Sequence, residues 1–339
     1  MDMNPFRPAR FLARTPPPPS AATLRALHPL PPPHQQTKPA LLVLNQPVSS
    51  IDVLERLWAH TAYRICADGG ANRLYDTFGD HDTRRDQFLP SEIHGDLDSL
   101  RPSVRAYYAA RGVPISRDRD QYSTDFGKAI KKIMAAVPAA PLPYPSPSPS
   151  PAPSSAPGRL TSAASPLQSS DSPSPASFSD PSTPPPQPTR EILILCTLGG
   201  RVDQGLGLLY EMLRTQLAYP DTRLWLFSES SVSFILPAGR NELHLPVQPA
   251  SSSSEKAQET RTDEPHAEQE EPYFTENVGI LPAFGPAVIS TTGLEWDVAD
   301  WPTSVDGNVS TSNHVKSTAV EVTTTAAVLF TIERAEKLP

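Results

Sequence analysis

A repeated unit constrains this chain more than any other feature: a short apolar run, a turn rich in glycine or acidic residues, then apolar residues at helical spacing. Ala40-Leu-Leu-Val-Leu-Asn45 is the first such run. A helix capped by Ser49 or Ser50 follows it and carries Ile51, Leu54, Leu57 and Trp58 on one face. Tyr63-Arg-Ile-Cys-Ala67 is the second, ending in Asp68-Gly69-Gly70-Ala71-Asn72 and a helical stretch with Leu74, Tyr75 and Phe78. The third precedes Gly95-Asp96-Leu97-Asp98-Ser99 and a helix around residues 104–110. A short strand at 113–115 leads to Asp118–Asp125 and an amphipathic helix with Phe126, Ala129, Ile130 and Ile133, for which Thr124 or Ser123 is the natural cap. Glu191-Ile-Leu-Ile-Leu-Cys196 runs into Gly199-Gly200-Arg201-Val202-Asp203-Gln204 and a further helix, and Arg223-Leu-Trp-Leu-Phe227 closes the series. Runs this continuous suit strands covered on both faces. The repeat predicts a mainly parallel, Rossmann-like α/β sheet with helices on both sides. Ligands of such sheets bind beyond the carboxyl ends of the strands, where Asp68, Asp96, Asp125 and Asp203 would all gather.

Beyond residue 230 the pattern changes. Short β-rich pieces at 232–236, 242–245, 279–281, 287–290 and 320–331 lack helical spacing and predict a small antiparallel β-sandwich. Composition supplies the remaining boundaries. The chain has 339 residues, 42 of them proline, which is too many for an uninterrupted core. Residues 1–38 read as a disordered Pro-rich tail. Residues 138–189, almost all Pro, Ser and Ala, read as a disordered insertion in a surface loop, and residues 249–272 as an acidic, Ser-rich one. The expected domains are therefore 39–235, α/β, and 236–339, sandwich. The net charge of −8 and the lack of a Lys/Arg-rich run argue against nucleic acid. No apolar run reaches the length of a membrane span. Cys66 and Cys196 lie apart in apolar segments, as reduced thiols of a cytoplasmic protein would.

The chemistry centres on Asp96 and Asp98. In extended backbone, side chains two residues apart face the same way, so these carboxylates meet at one point and repel unless a cation relieves them. Such oxygen clusters suit Mg²⁺, which takes one or two carboxylates together with water and phosphate. The turns at Gly69-Gly70 and Gly199-Gly200 allow close backbone approach to an anion at a helix start.

Six motifs, in order, resemble the thiamine pyrophosphokinase family, fungal type. They are Asp68-Gly-Gly-Ala-Asn-Arg-Leu-Tyr75, Gly95-Asp-Leu-Asp-Ser99, Asp120-Gln-Tyr-Ser-Thr-Asp125, Gly199-Gly-Arg-Val-Asp-Gln204, Thr291-Thr-Gly-Leu-Glu-Trp296 and Ser310-Thr-Ser-Asn313. The resemblance implies transfer of the pyrophosphoryl group of ATP to the hydroxyl of thiamine, giving thiamine diphosphate and AMP. It implies Mg²⁺ held by Asp96, Asp98, Asp68 and Asp125, with Asp96, Asp98, Asp125 and Arg201 as the catalytic set and Asp125 or Asp98 as general base. Asp68, Gly69, Gly70, Asn72, Gln121, Thr124, Gly200 and Asp203 would line the nucleotide and phosphates. Trp296 would stack on thiamine, with Ser312 and Asn313 hydrogen-bonded to it, at active sites shared across a homodimer. Compared with the family, Tyr122 replaces an acidic residue of some relatives, and the loop from Gly199-Gly200 to Arg201 is shorter. Two alternatives stand beside this reading: a Mg²⁺-dependent phosphotransferase acting on another substrate, and a non-catalytic thiamine- or nucleotide-binding relative.

Overall fold

The computed structural model describes residues 6–14, 38–137, 190–195, 198–199, 201–247 and 272–339. Both expected insertions, apart from Pro272, lie outside these residues, as do Cys196, Gly200 and most of the N-terminal tail.

Six parallel strands form the α/β half: β1 (Ala40–Val43), β2 (Tyr63–Ala67), β3 (Glu92–Gly95), β4 (Ile115–Arg117), β5 (Arg190–Leu195) and β6 (Thr222–Phe227). Their spatial order is β6-β5-β1-β2-β3-β4, so the direction of winding reverses between β1 and β5. Alternation along β1 assigns the helices. Leu41 and Val43 face α1 (Ile51–His60), α2 (Gly70–Asp76) and α4 (Pro102–Ala110), whereas Ala40 and Leu42 face α5 (Asp125–Ala136) and α6 (Val202–Ala218). A four-residue helix, α3 (Asp82–Arg85), lies between α2 and β3. Ser50 and Thr124 are the caps of α1 and α5, each accepting a backbone N–H three residues on.

The second half is all β: β7 (Ser231–Leu236), β8 (Gly239–His244), β9 (Phe274–Leu281), β10 (Ala287–Thr292), β11 (Trp301–Thr303), β12 (Ser310–His314), β13 (Ala319–Thr324) and β14 (Val328–Arg334). Strands β11-β10-β13-β8 form one antiparallel sheet. The other face of the sandwich is no separate sheet, because β7 pairs antiparallel with β6 and carries β14, β9 and β12 behind it. One ten-stranded sheet thus runs through both halves. The α/β core on the Leu41 side continues into the sandwich core of Phe234, Phe274, Ile289, Val322 and Phe330. The single β segment expected at 320–331 is two strands, broken at residues 325–327.

The tail needs a larger correction. Phe6, Phe11 and Leu12 are buried where the two halves join, with Phe6 stacked on Phe234 at 5.4 Å and edge-on to Trp225 at 6.0 Å. The Phe6 N–H donates to the Glu242 carbonyl at 2.7 Å, and its carbonyl accepts from His244 N–H at 2.8 Å. Arg10 pairs with Glu191, and Arg56 donates to the carbonyls of Leu12 and Pro339. Proline content hid three large apolar side chains, each worth roughly 1.5–3 kcal/mol when buried.

Candidate active site

The acidic cluster is built by two strand ends and a helix start. Asp68 follows β2 in a left-handed conformation (φ 40°), its N–H donating to the His94 carbonyl of neighbouring β3 at 3.0 Å. That turn drives the side chain inward until the residue is only 1% exposed. Its Oδ2 accepts from Ser99 N–H at 3.1 Å, while its Oδ1 is buried with no partner. After β3, Leu97 is also left-handed (φ 65°), which folds Asp98 back toward Asp96. Ligand oxygens of Asp68, Asp96 and Asp98 all lie within 4.8 Å of one another. Gly95 makes this possible, since a Cβ there would sit 2.9 Å from the Asp68 Cβ and 3.3 Å from Asp125 Oδ1.

Asp125, the first residue of α5, closes the cluster from above the sheet, and its Oδ1 is likewise buried without a hydrogen bond. Burial, reinforced by the charges of Asp96 and Asp68, pushes its carboxyl up to about 6. Asp68 is raised for the same reasons, burial first and then Asp96 and Asp98, although Ser99 works against it. Asp96 is held below the usual carboxylate range by its hydrogen bond from Lys128.

Lys128 is the residue that the sequence reading missed. It is 1% exposed, with Nζ 2.9 Å from Asp96 Oδ2 and 3.7 Å from Asp125 Oδ1. Burial lowers its pKa, but the Asp96 hydrogen bond and the charges of Asp96, Asp125 and Asp118 outweigh that and leave it raised. One ammonium therefore feels three carboxylates, two of them in ion-pair contact. The available signal was local: Lys128 stands one turn after Asp125 on the same helix.

The remaining expected residues divide. Gly69 and Gly70 form the tight turn into α2, and a Cβ on Gly70 would meet the Val43 carbonyl at 2.3 Å. Asn72 is not aimed at a ligand. Its amide donates to the Ser99 carbonyl at 2.7 Å and accepts from Arg101 N–H at 3.1 Å, tying the Asp98 loop to α2. Thr124 caps α5, and Gln121 is exposed beside a fully exposed Tyr122. Arg201 and Asp203 do not join the acidic cluster. They are exposed and pair with each other in a two-pronged contact at 3.1 and 2.6 Å at the start of α6. Gly200 lies outside the described residues.

A second constellation sits on the sandwich. Trp296 is 55% exposed on the turn after β10. Asp297 holds that turn by accepting from Thr291 Oγ1 and from the N–H groups of Gly293 and Leu294, at 3.0–3.1 Å. Asn313, 4% exposed on β12, clamps Trp296 from below. Its Oδ1 accepts from Trp296 N–H at 3.1 Å, and its Nδ2 donates to the Trp296 carbonyl at 3.0 Å. Ser312 is exposed at a bulge of β12 with φ 54°. His314 lies 5.1 Å from the Trp296 ring and pairs with Glu295 at 2.6 Å, and Glu295 also holds Lys316 at 3.0 Å.

A parallel sheet with clustered aspartates on its carboxyl rim, joined to a sandwich bearing a rigidly held exposed tryptophan, defines a transferase of the kinase type. Comparison with known proteins narrows the class. Residues 54–146 match the family described as thiamin pyrophosphokinase, catalytic domain, and residues 265–329 match thiamin pyrophosphokinase, vitamin B1 binding domain. Thiamine pyrophosphokinase 1 of Arabidopsis thaliana is 30% identical over 305 residues, spanning 87% of this chain and 86% of the relative. Thiamine pyrophosphokinase of Saccharomyces cerevisiae is 30% identical over 286 residues, spanning 83% and 80%. The solved thiamin pyrophosphokinase structures from Candida albicans and yeast share the fold, with TM-scores of 0.61 and 0.63 at 23% identity. They cover 89% of this chain and 92% and 88% of theirs. The chain belongs to the thiamine pyrophosphokinase family and is an enzyme of the thiamine diphosphokinase class.

Proposed function

We propose that the enzyme transfers the β,γ-pyrophosphoryl group of ATP to the hydroxyethyl oxygen of thiamine, releasing AMP, with Mg²⁺ held at the aspartate cluster. The observation that carries this reading is the pair of buried carboxylate oxygens without hydrogen bonds, Asp68 Oδ1 and Asp125 Oδ1, the latter only 3.7 Å from Lys128 Nζ, beside Asp96 and Asp98. A buried unpaired carboxylate is costly, and a hard cation with oxygen preference satisfies it. These donors fit Mg²⁺: Asp68, Asp96 and Asp98 would hold it, with Asp125 alongside. Bound there, Mg²⁺ would neutralise phosphate charge and polarise the phosphorus under attack. Lys128 supplies part of that positive charge from the protein and keeps Asp96 ionised and oriented. Asp125 or Asp98 would take the thiamine hydroxyl proton. Arg201, exposed at the start of α6, would turn from Asp203 to the phosphates, for which its planar fork is suited.

Thiamine would stack on Trp296, whose ring attracts a cation. Asn313 acts there by fixing the Trp296 backbone rather than by reaching the ligand, and exposed Ser312 remains the candidate hydrogen-bonding group. The site would be completed by a second copy of the chain. Asn313 on β12 and the Asp96 loop after β3 are eight inter-strand steps apart, roughly 38 Å along the sheet. One thiamine cannot span that distance, whereas the rim of one protomer facing the sandwich of its partner brings the two together. An apolar stripe of Val202, Leu206 and Tyr210, exposed at i, i+4 and i+8 on α6 beside the rim, is a surface such packing would cover. We read residues 39–235 as the catalytic part and residues 236–339 as the thiamine-binding part. Among the described residues no helix is long and apolar enough to cross a membrane, and buried free Cys66 fits the reducing cytoplasm.

The test is formation of AMP and thiamine diphosphate from ATP, thiamine and Mg²⁺, with Asp96→Asn in parallel. One-to-one products that vanish in the variant are expected. A folded wild-type protein that binds thiamine but forms no AMP would refute catalysis and favour the binding-only alternative.

A further inference from the structure

β6 and β7 are paired only at Leu226↔Ser233 and Phe227↔Val232. Away from those pairs the start of β6 and the end of β7 diverge, and a half-open cleft of about 380 Å³ fills the gap. α6 lines it on one face of the sheet through Leu213 and Leu217, and Phe6 lines it on the other. Successive residues of β6 point to opposite faces, yet Thr222 and Arg223 both reach the cleft because it passes between the strands. A volume of this size holds a small organic ligand.

The cleft is mainly apolar; of its polar lining, Gln216 donates to the Thr222 carbonyl at 2.7 Å, and two other groups have no hydrogen-bond partner among the described residues. Thr222 is 1% exposed, and its Oγ1 has no hydrogen-bond partner. The Arg223 guanidinium lies 3.8 Å from the centre of the Phe6 ring and 5.6 Å from that of Trp225, and makes no hydrogen bond or ion pair among the described residues. The carboxylate nearby, Glu191, is already engaged by Arg10 and by Trp225 Nε1 at 3.1 Å. Two guanidinium groups thus share one carboxylate, and Arg223 is the one without a contact to it. Burial pulls the Arg223 guanidinium down to about 10, with the charge of Glu191 offsetting only part of the loss and that of Arg10 adding to it. A half-buried guanidinium without a hydrogen-bonded partner is unfavourable, and its five donors in a fixed fork match a carboxylate.

We propose that this cleft binds a small amphipathic monoanion, an aliphatic carboxylate whose head pairs with Arg223 and whose hydrocarbon chain runs between the strands to Leu213, Leu217 and Ile235. The site lies in the seam between the two halves, away from the aspartate cluster, and does not depend on the proposed reaction. Medium-chain fatty acids have the right chemistry: one negative charge and a flexible, unbranched apolar body.

The experiment is calorimetric titration of the full chain with octanoate and with 1-octanol, for the wild type, Arg223→Gln and Arg223→Lys. Saturable octanoate binding is expected, with octanol and Arg223→Gln each weakening it by at least about tenfold and Arg223→Lys retaining most of it. Retention in Arg223→Lys separates loss of the charge from loss of the fold. Absence of saturable octanoate binding to the wild type, which would also follow if another part of the chain filled the cleft, would overturn the proposal. So would octanol binding as tightly as octanoate, or Arg223→Gln binding like the wild type.

Discussion

The aspartate rim and the Trp296 turn prepare for ligands in opposite ways. At the rim the backbone is strained into left-handed conformations at Asp68 and Leu97, and buried carboxylate oxygens are left unpaired. At the Trp296 turn nearly every polar group near the ring is paired, through Asp297 and Asn313, and what remains unsatisfied is an exposed apolar face. The first region stores electrostatic cost that a cation would relieve, and the second stores exposed aromatic surface that a flat ligand would cover. A site is therefore marked by what a fold leaves unfinished, and the unfinished quantity names the chemistry of the ligand.

The largest expected effect tests the rim. Asp96→Asn removes one cluster carboxylate and the partner of Lys128, and turnover should fall on the order of 10³-fold, about 4 kcal/mol of transition-state stabilisation. Steady-state kinetics at saturating Mg²⁺ checks this, and a variant within threefold of wild type would dissolve the contrast. Asn313→Ala comes next. It leaves the Trp296 N–H and carbonyl without their partner and should cost about 2 kcal/mol in urea unfolding while raising the thiamine KM. An unchanged KM would mean that the turn does not need its clamp. Trp296→Ala should leave stability within about 0.5 kcal/mol, because the ring is exposed, yet weaken thiamine binding by roughly 1 kcal/mol with kcat nearly unchanged. The smallest effect has the opposite sign. Asp125→Asn removes a like charge from the cluster, so in EDTA the variant should be more stable than wild type by up to about 1 kcal/mol, after allowance for the partial exposure of this side chain. The same variant should be poorly active. Equal stabilities would show that the rim carries no stored repulsion.

Much of this was readable from residue order. Alternating apolar runs and helix-spaced residues predict β1 to β6 and their helices because burial on both faces leaves a continuous signature, as in Tyr63–Ala67, whose bounds match the strand. The spelling Asp96-Leu-Asp98 announces a carboxylate pair, although a left-handed Leu97, not the extended backbone expected, brings the two together. Contacts distant in sequence were not legible. Asn72 reaching Ser99, Asn313 reaching Trp296, and the continuity of β6 with β7 depend on which elements become neighbours. Phe6–Leu12 was lost for a related reason: a Pro-rich average conceals a few aromatic and aliphatic side chains that find a core elsewhere. Asp203 was expected among the acidic residues because it too follows a strand, and Arg201 near the phosphates by resemblance. In this structure they pair with each other two positions apart, both exposed.

The unbroken sheet has a mechanical consequence. Enzymes built from two separate bodies often close on substrate by swinging about a hinge, a motion that needs a weak connection. Here the backbone bonds between β6 and β7 lie in the path of any such swing, and the buried Phe6–Leu12 segment wedges the joint from one side. Rotation of one half against the other would have to break ladder hydrogen bonds and open the core. Such a sheet leaves short-range movements, of side chains and of the loops at the rim, as the motions that need no break in the ladder.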